Sequence, residues 1–251
     1  MKKTVYLILA VLVTACNPKN IDDCLKTEGD TITKEFDVAV FDKVIARSRV
    51  KMFIQAGPVQ QVVVETGDNL IGDVEVTAEE DGTLQVFNNN GCNILRDFAQ
   101  VKVFVTSPNL LRIRNGSGYT IESIGVLDYP ELLLISEDSN SEDEFNTDGD
   151  FILQLDSENV TIVNNNISNY FLSGQVENFN VRIFNGDGRV DTPNLIVQNV
   201  ELLHRGSNKI IVNPQQSIRG ELRSTGDVIA VNRPPVVEVE QFFTGQLIFE
   251  D

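Results

Sequence analysis

The sequence predicts an all-β fold, the larger part of it a parallel β-helix or solenoid with coils of about 20 residues, preceded by an N-terminal β-rich segment. Three observations predict it. Short runs of β-branched and aromatic residues alternate with polar ones between Gly, Asn, Asp and Pro clusters. No stretch keeps the helical period over three turns. An apolar residue after a small or turn-forming pair also recurs at a nearly fixed interval: Phe151, Tyr170, Val190, Ile210, Val228 and Leu247, at spacings of 19, 20, 20, 18 and 19.

Residues 1–15 read as an export signal. Lys2 and Lys3 precede an apolar run from Val5 to Ala15, far short of the roughly 20 residues that span a bilayer. Val13-Thr14-Ala15-Cys16 resembles a bacterial lipobox, which makes Cys16 the expected lipidation site and the first residue of the mature chain. An ordinary cleaved signal beside an unrelated Cys is the alternative. Residues 16–35 are polar, without periodicity, and read as a tether. Cys24 and Cys92 remain as a pair in an exported, oxidising setting, and a Cys24–Cys92 disulfide is expected; two separate thiols are the alternative. Closing so long a loop would stabilise by about 4 kcal/mol on the chain-entropy account.

Residues 36–108 form the N-terminal β-rich part. Strand candidates are Val44 to Ile54, Val62 to Glu65, Val74 to Ala78, Leu84 to Phe87 and Val101 to Thr106, separated by Ala56-Gly57-Pro58, Gly67-Asp68-Asn69 and Asp81-Gly82. Residues 109–251 form the repeat. Each coil has apolar residues to bury but cannot bury them alone, so neighbours stack about 4.8 Å apart, with Gly and Asn favoured at corners. Tyr119, after Ser117-Gly118, reads as an earlier copy 32 residues before Phe151, and the excess coincides with the acidic stretch Glu137 to Glu144, read as an insertion. Arg233-Pro234-Pro235 gives a rigid bend before the closing segment Val236 to Phe249. An antiparallel sandwich of hairpins is the alternative architecture, because corner spacing does not fix strand direction.

Charge and composition exclude much. With 20 Lys and Arg against 37 Asp and Glu, a formal net charge of -17, and no basic cluster, nucleic acid is not an expected partner. His204 is the only histidine and reads as structural or exposed. There is no Gly-x-Ser-x-Gly elbow, His-Glu-x-x-His pair or phosphate loop, so no catalytic, cofactor-binding or metal-binding residues are assigned. Asp138, Asn140, Glu142 and Glu144 alternate in a way calcium could use, but the turn Gly and closing Glu of a calcium loop are missing, and a solvated acidic loop is the better reading. A sugar-stacking platform is not indicated either, with no Trp, and with Tyr119 and Tyr170 at repeat positions that read as core.

The order of Phe41-Asp42-Lys43-Val44, Gly82-Thr83-Leu84 and Val103 to Leu110, followed by Asn115-Gly116-Ser117-Gly118 and Ser224-Thr225-Gly226-Asp227-Val228, resembles the head GIN domain of putative auto-transporter adhesins, common in Bacteroidetes lipoproteins. The resemblance runs from about Phe41 to Phe249 and brings no catalytic residues. It implies a β-helical, exported, adhesive protein; with the lipobox at Cys16, the expected place is the cell envelope, lipid-anchored to the outer membrane and open to display at the cell surface. Lys19 with Asp22-Asp23 resembles the surface-export signals of that phylum, and Asp30-Thr31-Ile32 its O-glycosylation tripeptide. The expected function is a non-enzymatic adhesin or binding scaffold for an unknown protein or glycan partner. A β-helical polysaccharide lyase or hydrolase, and a periplasmic structural or sensory scaffold, are the alternatives.

Overall fold

The computed structural model describes residues 25–91, 101–138 and 145–250. Residues 1–15, read as an export signal, and Cys16, Cys24 and Cys92, with the lipidation and the disulfide expected of them, lie outside the described residues. The fold is all-β: among the described residues seventeen strands join in one sheet that nearly closes on itself around a shared apolar interior.

The N-terminal part contains β1 (Thr31–Phe36), β2 (Lys43–Ala46), β3 (Val50–Ala56), β4 (Gln61–Gly67), β5 (Val74–Ala78), β6 (Thr83–Asn88) and β7 (Val101–Ser107). Alternation sets their faces. In β3, Val50, Met52 and Ile54 are buried while Lys51 and Phe53 turn outward. The segment predicted as one strand from Val44 to Ile54 is two, because the chain turns at Arg49 with φ 63. The end of the segment read as tether is also ordered, since β1 pairs antiparallel with β4 from Thr31↔Gly67 to Phe36↔Val62. Antiparallel pairing recurs in β4–β7 and β5–β6, whereas β2–β6 and β3–β7 are parallel.

From β8 (Arg112–Asn115) onward every strand pairing is parallel, which excludes the sandwich of hairpins. The strands are β9 (Ile121–Leu127), β10 (Glu131–Ser136), β11 (Phe151–Asn164), β12 (Tyr170–Ile183), β13 (Val190–His204), β14 (Ile210–Leu222), β15 (Val228–Ala230), β16 (Val236–Gln241) and β17 (Leu247–Phe249). The six repeat residues stand in one column, paired Phe151↔Tyr170↔Val190↔Ile210↔Val228↔Leu247. Above Phe151 the column continues through Ile121, not through Tyr119. Tyr119 is a correction to the sequence reading: it sits in the corner two residues earlier, and its carbonyl accepts from the Asn115 side-chain amide. The acidic stretch does fall between β10 and β11, but residues 139–144 are outside the described set.

The columns are the core. Phe151 and Tyr170 are fully buried, with ring centroids 4.8 Å apart and planes 8° from parallel. A second column runs Leu84, Val44, Ile113, Leu134, Ile162, Val181 and Leu202, tying both parts of the chain to one interior. Each such side chain contributes roughly 1.5–3 kcal/mol of burial, which offsets the ordering of its coil. Below Leu202 stands Gly220, with φ 131; a Cβ there would lie 1.9 Å from the Leu202 carbonyl oxygen.

Stacking does not follow chain order at the start. β2 lies between β6 and β8, and β3 between β7 and β9, so the earlier segment is inserted between two later ones.

Candidate functional site

The side of the stack formed by the second halves of β11 to β14 carries two outward rows, one residue either side of the buried column Val160, Phe179, Val200 and Ile218. The first row is Asn159, Asn178, Asn199 and Ser217; the second is Thr161, Asn180, Glu201 and Arg219. Between them runs a groove of about 430 Å³, floored by backbone already paired in the ladders.

The first row is one directed chain of hydrogen bonds. Arg219 Nη1 donates to Ser217 Oγ (2.8 Å), whose hydroxyl donates to Asn199 Oδ1 (2.9 Å). Asn199 Nδ2 donates to Asn178 Oδ1 (3.2 Å), and Asn178 Nδ2 to Asn159 Oδ1 (2.9 Å). Asn159 Nδ2 then donates to the Glu131 carboxylate. A guanidinium can only donate and a carboxylate can only accept, so the two ends impose one orientation on every amide between them. Each bond then polarises the next. Arg219 is itself held by Glu238, Nε to Oε2 at 2.9 Å. Asn178 and Asn199 each use one amide hydrogen and one acceptance in the chain, leaving a second hydrogen and a second lone pair that the row does not use.

Across the corner, Asp128, Asp156, Glu158 and Glu177 gather with Pro130, Gln175 and Gln198 around a second groove of about 510 Å³. Asp156 Oδ1 accepts from Gln175 Nε2 at 3.0 Å. Among the described residues no group of three or more His, Cys, Asp and Glu side chains could hold a metal ion.

His204 is buried at a corner and does structural work. Its Nδ1 accepts from the Gly206 N–H at 3.4 Å, and its Nε2 donates to the Asn208 carbonyl at 2.9 Å. Asn115 does the same at its own corner, accepting from the Ser117 N–H and donating to the Tyr119 carbonyl. Asn164 repeats it with the Asn166 N–H and the Ser168 carbonyl. Asn164 and His204 stand in one column through Ile183, Asn115 follows the Arg114↔Ile135 pair at the head of that column, and His204 is a neutral imidazole filling an asparagine's place. Burial holds its pKa below the ordinary histidine value, against the opposing pull of the Asn208 carbonyl and Asp227.

The other sequence candidates are dispersed. Tyr170 is core, and burial pushes its phenol pKa well up, so it offers no binding surface. Of the acidic stretch, Glu137 pairs with Arg114 at 3.3 Å and Asp138 accepts from Asn165 Nδ2 at 2.9 Å; Asn140, Glu142 and Glu144 lie outside the described residues. Thr31, of the tripeptide, is exposed at the start of β1. The asparagine row was not singled out from sequence, although Asn159, Asn178 and Asn199 recur at the coil interval and carry its signal.

Over residues 40–234 the chain matches the family described as putative auto-transporter adhesin, head GIN domain. No curated protein matches it. Among solved structures, a putative adhesin from Bacteroides fragilis is similar with a TM-score of 0.77 at 19% identity, covering 88% of this chain and 97% of that one. A putative lipid binding protein from Parabacteroides distasonis is similar with a TM-score of 0.62 at 12% identity, covering 89% and 98%. A putative adhesin from Parabacteroides merdae gives 0.58 at 13%, covering 89% and 97%. At these identities the likeness establishes a common fold.

Proposed function

The chain belongs to the family of putative auto-transporter adhesins with a head GIN domain, and from that premise we propose that it is a non-enzymatic binding scaffold of the cell envelope, a parallel β-solenoid anchored by lipid on Cys16 to the outer membrane. Its side face meets a protein or glycan partner. The observation that carries this reading is the directed row from Arg219 to Glu131: a polar surface repeated coil by coil, and fixed before any partner arrives. Preorganised side chains lose little freedom on binding, which favours a rigid adhesive face. Two measurements test it. Radiolabelled palmitate should enter the chain and fail to enter Cys16→Ser, and protease shaving of intact cells should remove the domain. Shaving that spares it supports the periplasmic scaffold instead, and label retained by Cys16→Ser removes the anchor.

One observation favours a second reading. Asp128, Asp156, Glu158 and Glu177 line one groove, and a polysaccharide-cleaving enzyme draws its acid and base from such carboxylates. Reducing or unsaturated ends released from neutral or acidic polysaccharides, and lost in Glu158→Gln, would establish it.

A further inference from the structure

Resting on the binding-scaffold reading, we infer that the groove between the Asn159–Ser217 and Thr161–Arg219 rows is a site for a neutral glycan chain lying along the stack axis. The groove dictates the ligand class by what it offers. Its floor cannot accept a peptide strand, because the backbone at Val160, Phe179 and Val200 is already paired to the coils on either side. An anion would meet Glu201 in the groove lining, while the lining cation, Arg219, is engaged by Ser217 and Glu238, and the neighbouring Arg182 donates to Asn180 Oδ1. An apolar segment would find its counterparts, Val160, Phe179, Val200 and Ile218, buried beneath the floor. What the row leaves unused is a repeated amide, one N–H and one lone pair from Asn178 and again from Asn199, with the Thr161 hydroxyl and the Asn180 amide nitrogen across the groove, Asn180 Oδ1 being held by Arg182. Hydroxyl and acetamido groups on a polymer answer that pattern, and the repetition by coil requires a ligand that repeats along the same direction.

No aromatic side chain is exposed in the groove for a sugar ring to stack on, so single-site binding is weak and useful adhesion comes from many copies on one surface. The direction of the amide row also gives the site polarity. Each amide hydrogen used by the row points away from Arg219 towards Glu131, so the two orientations of a glycan are not equivalent.

The test is an NMR titration of the full chain, following side-chain amide signals with chitohexaose, which carries acetamido groups, and cellohexaose, which carries hydroxyls alone. At least one should shift the Asn178 and Asn199 signals saturably at millimolar concentration, while polygalacturonate should not. Asn178→Ala with Asn199→Ala should weaken binding roughly tenfold, as loss of two hydrogen-bonding groups would. Thr161→Arg obstructs the groove without entering the row, and should abolish binding with the melting temperature unchanged. Asn69→Ala, on an exposed turn elsewhere, should bind as the parent does. Absence of saturable shifts with both hexasaccharides, shifts that survive Thr161→Arg, or preference for the anionic polymer would overturn the inference. Those results would leave surface display and protein partners untouched, since shaving and palmitate labelling read them separately.

Discussion

Two stacked aromatic pairs divide the molecule. Phe151 and Tyr170 lie in the interior of the sequential coils, while Phe53 and Phe104, 5.0 Å apart and 12° from parallel, lie half-exposed on the outside of the N-terminal part. Both are in-register parallel neighbours, yet the first joins consecutive strands and the second joins β3 to β7 across three intervening strands. The sequential part is ordered by repetition, each long strand pairing in parallel with the one before. The N-terminal part is ordered by long-range pairing, and its antiparallel strands β1, β4 and β5 have no counterpart at the other end, where β16 and β17 pair on one side only among the described residues. Burial and register can thus be varied independently.

The sharpest contrast follows from truncating each pair. Phe151→Ala should lose about 3–5 kcal/mol in urea denaturation, and Phe53→Ala about 1 kcal/mol, because one leaves a core cavity and the other an exposed gap. Equal losses would break the comparison. Next in size is Gly220→Ala, which forces a Cβ against the Leu202 carbonyl oxygen at φ 131 and should cost roughly 2–4 kcal/mol, read as a lower urea midpoint.

His204 sharpens the comparison through pH. Its folded pKa is depressed by burial, so below the unfolded value of about 6.5 the unfolded chain takes up a proton that the folded chain refuses. The stability held above that pH should therefore fall as pH drops from 7 to 5. In His204→Asn, which keeps one acceptor and one donor at the corner, the contribution of this group disappears and the curve flattens. The smallest effect belongs to the N-terminal part: Lys102→Ala removes the 2.8 Å pair with Glu65 across β4 and β7, half-exposed on both sides, and should change stability by less than about 1 kcal/mol, fading in salt.

Repetition was legible in the sequence because the apolar residue after each corner is also the residue that pairs with its copy. Threading was not. Nothing local in Val44 to Ile54 says that it will be inserted between Leu84 and Ile113, since such pairings depend on contacts far along the chain. Tyr119 misled by standing after a turn pair as the true copies do, while the column passes through Ile121 two residues later. The asparagines at 159, 178 and 199 carry no local motif in the sequence; their role emerges only when parallel pairing brings them side by side in mid-strand. His204 reads from sequence as structural or exposed; the structure buries it, and its equivalence to Asn115 and Asn164 needed the corner column.

Paired-cysteine oxidation, in a background with Cys16, Cys24 and Cys92 changed to Ser, tests the stacking of consecutive coils most directly. Asn180→Cys with Glu201→Cys places thiols on adjacent in-register positions, whereas Asn180→Cys with Arg219→Cys places them two coils apart. In-register pairing of β12 with β13 requires rapid intramolecular disulfide formation in the first pair and none in the second. Failure of the first pair in a folded protein, or equal oxidation of both, would contradict it.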